Sequence, residues 1–143
     1  MINMVLNSLE TSQTTKSEVF KTFEGLQKPQ PVFRDVQDIR NIKDLDKLLK
    51  DNPNINMVLD FWADYCVKCK AFFPIFESLC EKFHNNFVFA KLDIEHDIRI
   101  SHRYKITSIP TQIIIKNGSM VYKHVGVIDY KGLEDTIERY KSF

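Results

Sequence analysis

The sequence predicts an α/β domain built on a mixed central sheet with helices on both faces. Three observations carry this reading. From residue 32 onward, strand-like apolar runs alternate with segments of helical period. Two of those runs are apolar almost throughout, as strands covered on both faces are. Near the end, Asn117-Gly118 joins two further runs into a hairpin, because both residues tolerate positive φ. Alternating strands and helices followed by a hairpin and a last helix give a sheet of mixed direction.

The elements follow in order. Residues 1–30 are rich in Ser, Thr, Gln and Lys and form an extension. Within it, Val19, Phe20, Phe23 and Leu26 recur at helical spacing, with Gly25 as a stop and Pro29 and Pro31 closing the segment. Residues 31–143 form the domain. Val32 to Val36 reads as a short strand. Ile39, Ile42, Leu45, Leu48 and Leu49 then mark one face of a helix that ends before Pro53. Asn56 to Trp62 is a buried strand. The next helix runs from about Cys66 to His84, with Phe72, Ile75, Phe76, Leu79 and Phe83 along one stripe. Phe87 to Ile94 is a second buried strand and Asp97 to Tyr104 a short helix. Thr111 to Lys116 and Ser119 to Val125 are the hairpin strands. Asp129 caps a final helix that buries Leu133, Ile137 and Tyr140.

Composition narrows the function. A chain of 143 residues suits one domain with a modest extension, and a hydrophobic fraction of 43% supplies its core without covalent staples. Twenty Lys and Arg against 19 Asp and Glu leave a formal charge of +1 with no charged block. Electrostatic capture of nucleic acid or of a membrane surface is therefore not expected. No apolar run approaches the roughly 20 residues that span a bilayer. The opening MINMVLNSLE has no basic region and no sustained apolar stretch, unlike a secretory signal. A transit peptide fits poorly too, since Arg is absent from residues 1–30 and Glu10, Glu18 and Glu24 intrude. The expectation is a soluble monomer of a reducing compartment, the cytoplasm.

Chemistry concentrates in Trp62-Ala63-Asp64-Tyr65-Cys66-Val67-Lys68-Cys69-Lys70, where a buried strand hands over to a helix. Two cysteines three apart at a helix start can close a disulfide. The first sits where helix amides and the positive helix end stabilise a thiolate. A thiol with pKa of about 8.5 is only about 3% ionised at neutral pH, and a pKa near 7 makes it roughly half ionised. A second position stands out: Asp60 lies inside the apolar run Met57-Val58-Leu59-Asp60-Phe61. A carboxyl buried there has its pKa raised, which suits it to proton exchange near neutrality.

With these features the chain from about Val32 onward resembles the thioredoxin family. Asp60-Phe61-Trp62-Ala63 precedes the Cys66/Cys69 pair, and Pro74 lies within the following helix. Ala90-Lys91-Leu92-Asp93 forms the next strand, Ser108-Ile109-Pro110-Thr111 opens the hairpin, and Gly126 follows it. The resemblance implies a thioredoxin fold and a protein-disulfide oxidoreductase that needs no cofactor. It implies that Cys66 attacks a client disulfide and Cys69 resolves the mixed disulfide. Asp60 would lie beneath Cys69 and help deprotonate it, with Lys91 nearby. Ile109-Pro110 would be a cis peptide facing the cysteines, the Ile109 backbone pairing with an extended client. Trp62 and Tyr65 would flank the site as an apolar contact surface, or pack as plain core. The implied partners are disulfide-containing client proteins, with a thioredoxin reductase or glutathione as electron donor.

The chain departs from the family between its cysteines. Val67-Lys68 replaces the usual Gly-Pro, and Tyr65 stands where a Trp is usual. Reduction of clients is the first expectation, with disulfide oxidation or isomerisation as the alternative. A binding module that turns over little is a further alternative. Zinc is disfavoured. Cys66, Cys69, Cys80 and His84 imitate a finger, yet Cys66 and Cys80 on one helix stand about 21 Å apart along its axis.

Overall fold

The computed structural model describes residues 29–142. The expected helix around Val19 to Leu26 lies outside them. Five strands form one sheet in the order β1-β3-β2-β4-β5. They are β1 (Gln37–Ile39), β2 (Met57–Trp62), β3 (Val88–Asp93), β4 (Thr111–Lys116) and β5 (Ser119–Val125). β1 and β2 run parallel to β3, whereas β4 is antiparallel to β2 and β5 to β4. The helices are α1 (Ile42–Asp51), α2 (Val67–Phe83), α3 (Ile98–Arg103) and α4 (Tyr130–Lys141).

Side-chain alternation explains why β2 looks apolar throughout. Its odd-numbered residues Met57, Leu59 and Phe61 pack with Ile42 and Leu45 of α1 and Ile100 of α3. On the opposite face Val58 packs with Phe72, Phe76 and Leu79 of α2 and Leu133 and Ile137 of α4. Neither face meets water, so neither needs polar residues. Asp60 and Trp62, at the even positions, therefore point to the side that α2 covers.

Two expectations near the start are corrected. The first strand is Gln37–Ile39, not Val32 to Val36. Its pairing with Ala90–Leu92 sets its place, and Val32 remains 55% exposed outside the sheet. Ile39 ends that strand and does not belong to the helix that follows. Asn41 resets the period: its side chain accepts the Asp44 N–H at 2.9 Å and starts α1 at Ile42. Elsewhere the elements fall within a residue or two of expectation. The hairpin turns through Asn117 (φ 53°) and Gly118 (φ 80°). Asp129 caps α4 by accepting from Gly132 N–H at 2.8 Å.

Candidate active site

The cysteine pair sits where the C-terminal end of β2 passes into α2. Cys66 is the N-cap of α2, in extended conformation, and its Sγ accepts the Cys69 N–H at 3.1 Å. That amide is one of the helix-start donors without an intrahelical partner, the kind of group that stabilises a thiolate. Cys66 and Cys69 form a disulfide with Cα atoms 5.2 Å apart. Their exposures differ: Cys66 is half-buried at the surface, while Cys69 is 1% exposed. A partner disulfide can reach the first sulfur but not the second.

Beneath α2 lies a row of polar residues set by the sheet register. Lys91 of β3, Asp60 of β2 and Gln112 of β4 are aligned partners on three adjacent strands. Asp60 is fully buried and neither of its oxygens has a hydrogen-bond partner. Burial pushes its pKa well above the usual carboxylate range, and the Lys91 charge opposes part of that rise. Lys91 does not bond the carboxylate. Its Nζ lies 4.3 Å from the Phe73 ring centroid and 5.1 Å from that of Trp62. It also lines a cavity of about 560 Å³ beside Phe73, Pro74 and Glu77.

The third wall comes from the loop before β4. Ile109-Pro110 is a cis peptide. Because Phe61 pairs with Thr111, the next step of that register sets Pro110 beside Trp62, at the sheet end that carries the cysteines. Pro110 is buried and its carbonyl accepts the Gly126 N–H at 2.8 Å. Ile109 is half-buried and packs into the α1/α3 core. Tyr65 is 66% and Val67 81% exposed, whereas Trp62 is half-buried against Phe73 with centroids 5.6 Å apart. Tyr65 thus belongs to the surface, and Trp62 packs beneath it.

The family model for thioredoxin matches residues 38–139. The chain belongs to the thioredoxin family. The thioredoxin of Mycoplasmoides gallisepticum is 36% identical over 100 residues, covering 70% of this chain and 97% of the relative. That of Coprinus comatus is 39% identical over 92 residues, covering 64% and 85%. Among solved structures, Schistosoma mansoni thioredoxin superposes with a TM-score of 0.70 at 32% identity, covering 77% of this chain and 99% of that one. The thioredoxin fold is thereby established. This thioredoxin-family chain is a thiol–disulfide oxidoreductase with disulfide-containing client proteins as partners, and the binding-module reading is not favoured.

The remaining cysteine stands apart from the pair. Cys80 is buried on α2, its Sγ donating to Arg34 O at 3.4 Å, and burial pushes its thiol up to about 11. His84 caps the end of α2, its Nδ1 3.1 Å from Cys80 O. No helix among the described residues is long and apolar enough to cross a membrane. One residue of the buried row, Gln112, is passed over by the sequence reading. Its signal is the one that exposes Asp60: a polar side chain inside an apolar run, Thr111-Gln112-Ile113-Ile114-Ile115.

Proposed function

We propose that the chain reduces client disulfides with Cys66 as nucleophile, Cys69 as resolving thiol and Asp60 as proton acceptor. The observation that supports this is the contrast within the pair: a reachable sulfur at the tip of α2 and a covered one on the helix that packs over the sheet face where the unpartnered Asp60 carboxyl lies. In the first step the Cys66 thiolate, stabilised by the Cys69 amide, attacks one client sulfur. The client S–S bond breaks, a mixed disulfide forms, and the departing client thiolate takes a proton. In the second step Cys69 S–H passes its proton to the Asp60 carboxylate and attacks Cys66 sulfur. The bond from Cys66 to the client breaks, and the second client thiolate leaves and is protonated from Asp60. Two electrons have moved from the dithiol to the client, leaving the Cys66–Cys69 disulfide.

Lys91 acts on Asp60 through space, favouring the carboxylate that must receive the proton. Tyr65, Ile109 and Pro110 form the client contact, with Trp62 as its floor. Pro110 offers no N–H beside the sulfurs, and the Ile109 backbone serves an extended client segment by strand addition. The exposed Lys68 adds a modest, salt-screened attraction for the thiolate. A thioredoxin reductase or glutathione regenerates the dithiol, in a monomer of the cytoplasm. Residues 31–143 are the catalytic domain and 1–30 an extension, a division supported by the family match beginning at residue 38.

The test combines two variants. Cys69→Ser should accumulate a mixed disulfide with a client protein, visible as the summed mass under non-reducing conditions. Cys66→Ser should abolish the acceleration of client-disulfide reduction over dithiothreitol alone. Persisting turnover in Cys66→Ser, or adducts that form through Cys69 instead, would overturn the assignment.

A further inference from the structure

The buried side-chain polar atoms without a hydrogen-bond partner among the described residues are both Asp60 carboxyl oxygens, Trp62 Nε1 and Gln112 Oε1. All three residues lie at even positions of β2 and β4, on the sheet face that α2 covers. Unpartnered buried polar groups are rare and call for a physical reason, and three gathered on one face are not independent accidents. We infer that Gln112 is a positioning residue for the Asp60 proton, its carboxamide oxygen accepting the hydrogen bond of the protonated carboxyl directly or through one water. The inference rests on the proton-accepting role proposed for Asp60.

The geometry fixes which way the carboxamide points. Gln112 Nε2 donates to Gly126 O at 3.2 Å, just beyond the end of β5. A flipped amide would set its oxygen against that carbonyl, two acceptors facing each other, so the N–H end must remain there. Oε1 is then the end without a partner, and Asp60 is the residue aligned with Gln112 on the neighbouring β2. Both side chains are fully buried, so bulk water cannot satisfy either. An amide oxygen can only accept. It therefore favours the carboxyl that carries a proton and disfavours the carboxylate, adding to the effect of burial.

The other charged and titratable groups on this side of the sheet include Arg34, Asp35, Glu77 and Glu81, which line one cavity with Lys91. Lys91 of β3 pulls in the opposite sense, and α2, which covers this face, brings the cysteine pair. His124 of β5 aligns with Gln112 one strand further out and turns its Nε2 toward Val127 O at 3.4 Å. Lys91 and Gln112 thus bracket Asp60 from its two neighbouring strands with opposite effects on its proton. Between attack and release, Gln112 would hold the proton taken from Cys69 until the client thiolate collects it.

The experiment is a titration of the Asp60 carboxyl by carbon-13 NMR in the oxidised protein, where neither cysteine of the pair ionises. Gln112→Met keeps the length of the side chain and removes the acceptor. The midpoint of Asp60 should fall by about one pH unit, the size expected for one lost hydrogen bond to the neutral form. Resolution of the mixed disulfide, measured below that midpoint, should change by much less than about tenfold, because the carboxylate becomes more abundant and, by the same shift, a weaker base. A role confined to packing would change the melting temperature and leave the midpoint in place. An unmoved or higher midpoint in folded Gln112→Met overturns the inference, and Gln112→Leu decides it by the same criterion should the methionine variant not fold. Asp60→Asn separates the two levels: resolution at the unsubstituted rate removes the role of Asp60 itself. Slowed resolution together with an unmoved midpoint in Gln112→Met removes only that of Gln112.

Discussion

Replacing Asp60 by Asn should change how stability depends on pH, with a slope that the structure dictates. The carboxyl is fully buried without a hydrogen-bond partner, and burial raises its native pKa well above the unfolded value of about 3.9. Between those two values the native state holds a proton that the unfolded chain has released. Stability must then fall as pH rises, by up to about 1.4 kcal/mol per pH unit, and level off once the native carboxyl ionises. Asn cannot ionise and lacks that slope. Urea unfolding of the oxidised proteins from pH 4 to pH 8 measures it as a difference, so other titrating groups cancel. The stability of the parent chain relative to Asp60→Asn should decline from about pH 4 upward. Lys91→Met should carry the decline to higher pH, because the lysine charge favours the carboxylate. A difference that stays constant with pH, or grows, would refute the reasoning: Asp60 would then be no buried, unpartnered carboxyl.

Two further outcomes follow from the same geometry. In reduced protein at pH 7, iodoacetamide should modify Cys66 and spare Cys80. A thiol pushed up to about 11 is only about 0.01% ionised there, and Cys80 is also buried; comparable labelling of the two by peptide mass spectrometry would contradict this. Gly118→Ala should destabilise by at least about 1–2 kcal/mol in urea unfolding. The left-handed backbone costs that much alone, and the new Cβ would lie 2.5 Å from Pro53 O. A smaller loss would mean that the hairpin end can move away from that carbonyl.

How far the molecule was legible in its sequence depended on whether a signal was local. Asn117-Gly118, Asp129 and the cysteine pair each announce themselves through their own chemistry and neighbours, and each lies where expected. The start of the domain was less legible because β1 is only three residues long. Its limits come from pairing with β3 and not from its own apolar pattern, so Val32 to Val36 looked the better strand. The buried polar row is a harder case. Asp60 was visible as a charge inside an apolar run, yet its neighbours are chosen by register, and register joins residues 91, 60 and 112 from three strands. Nothing within Thr111-Gln112-Ile113 says which residue of β2 it will face. A one-residue slip of β4 against β2 would turn Gln112 to the other side of the sheet and set Ile113 beside Asp60. The carboxyl would then be left in wholly apolar surroundings on that side. The surroundings of the Asp60 carboxyl are therefore a property of strand alignment as much as of composition, which is why a motif can name the sulfurs but not every residue that the fold sets near them.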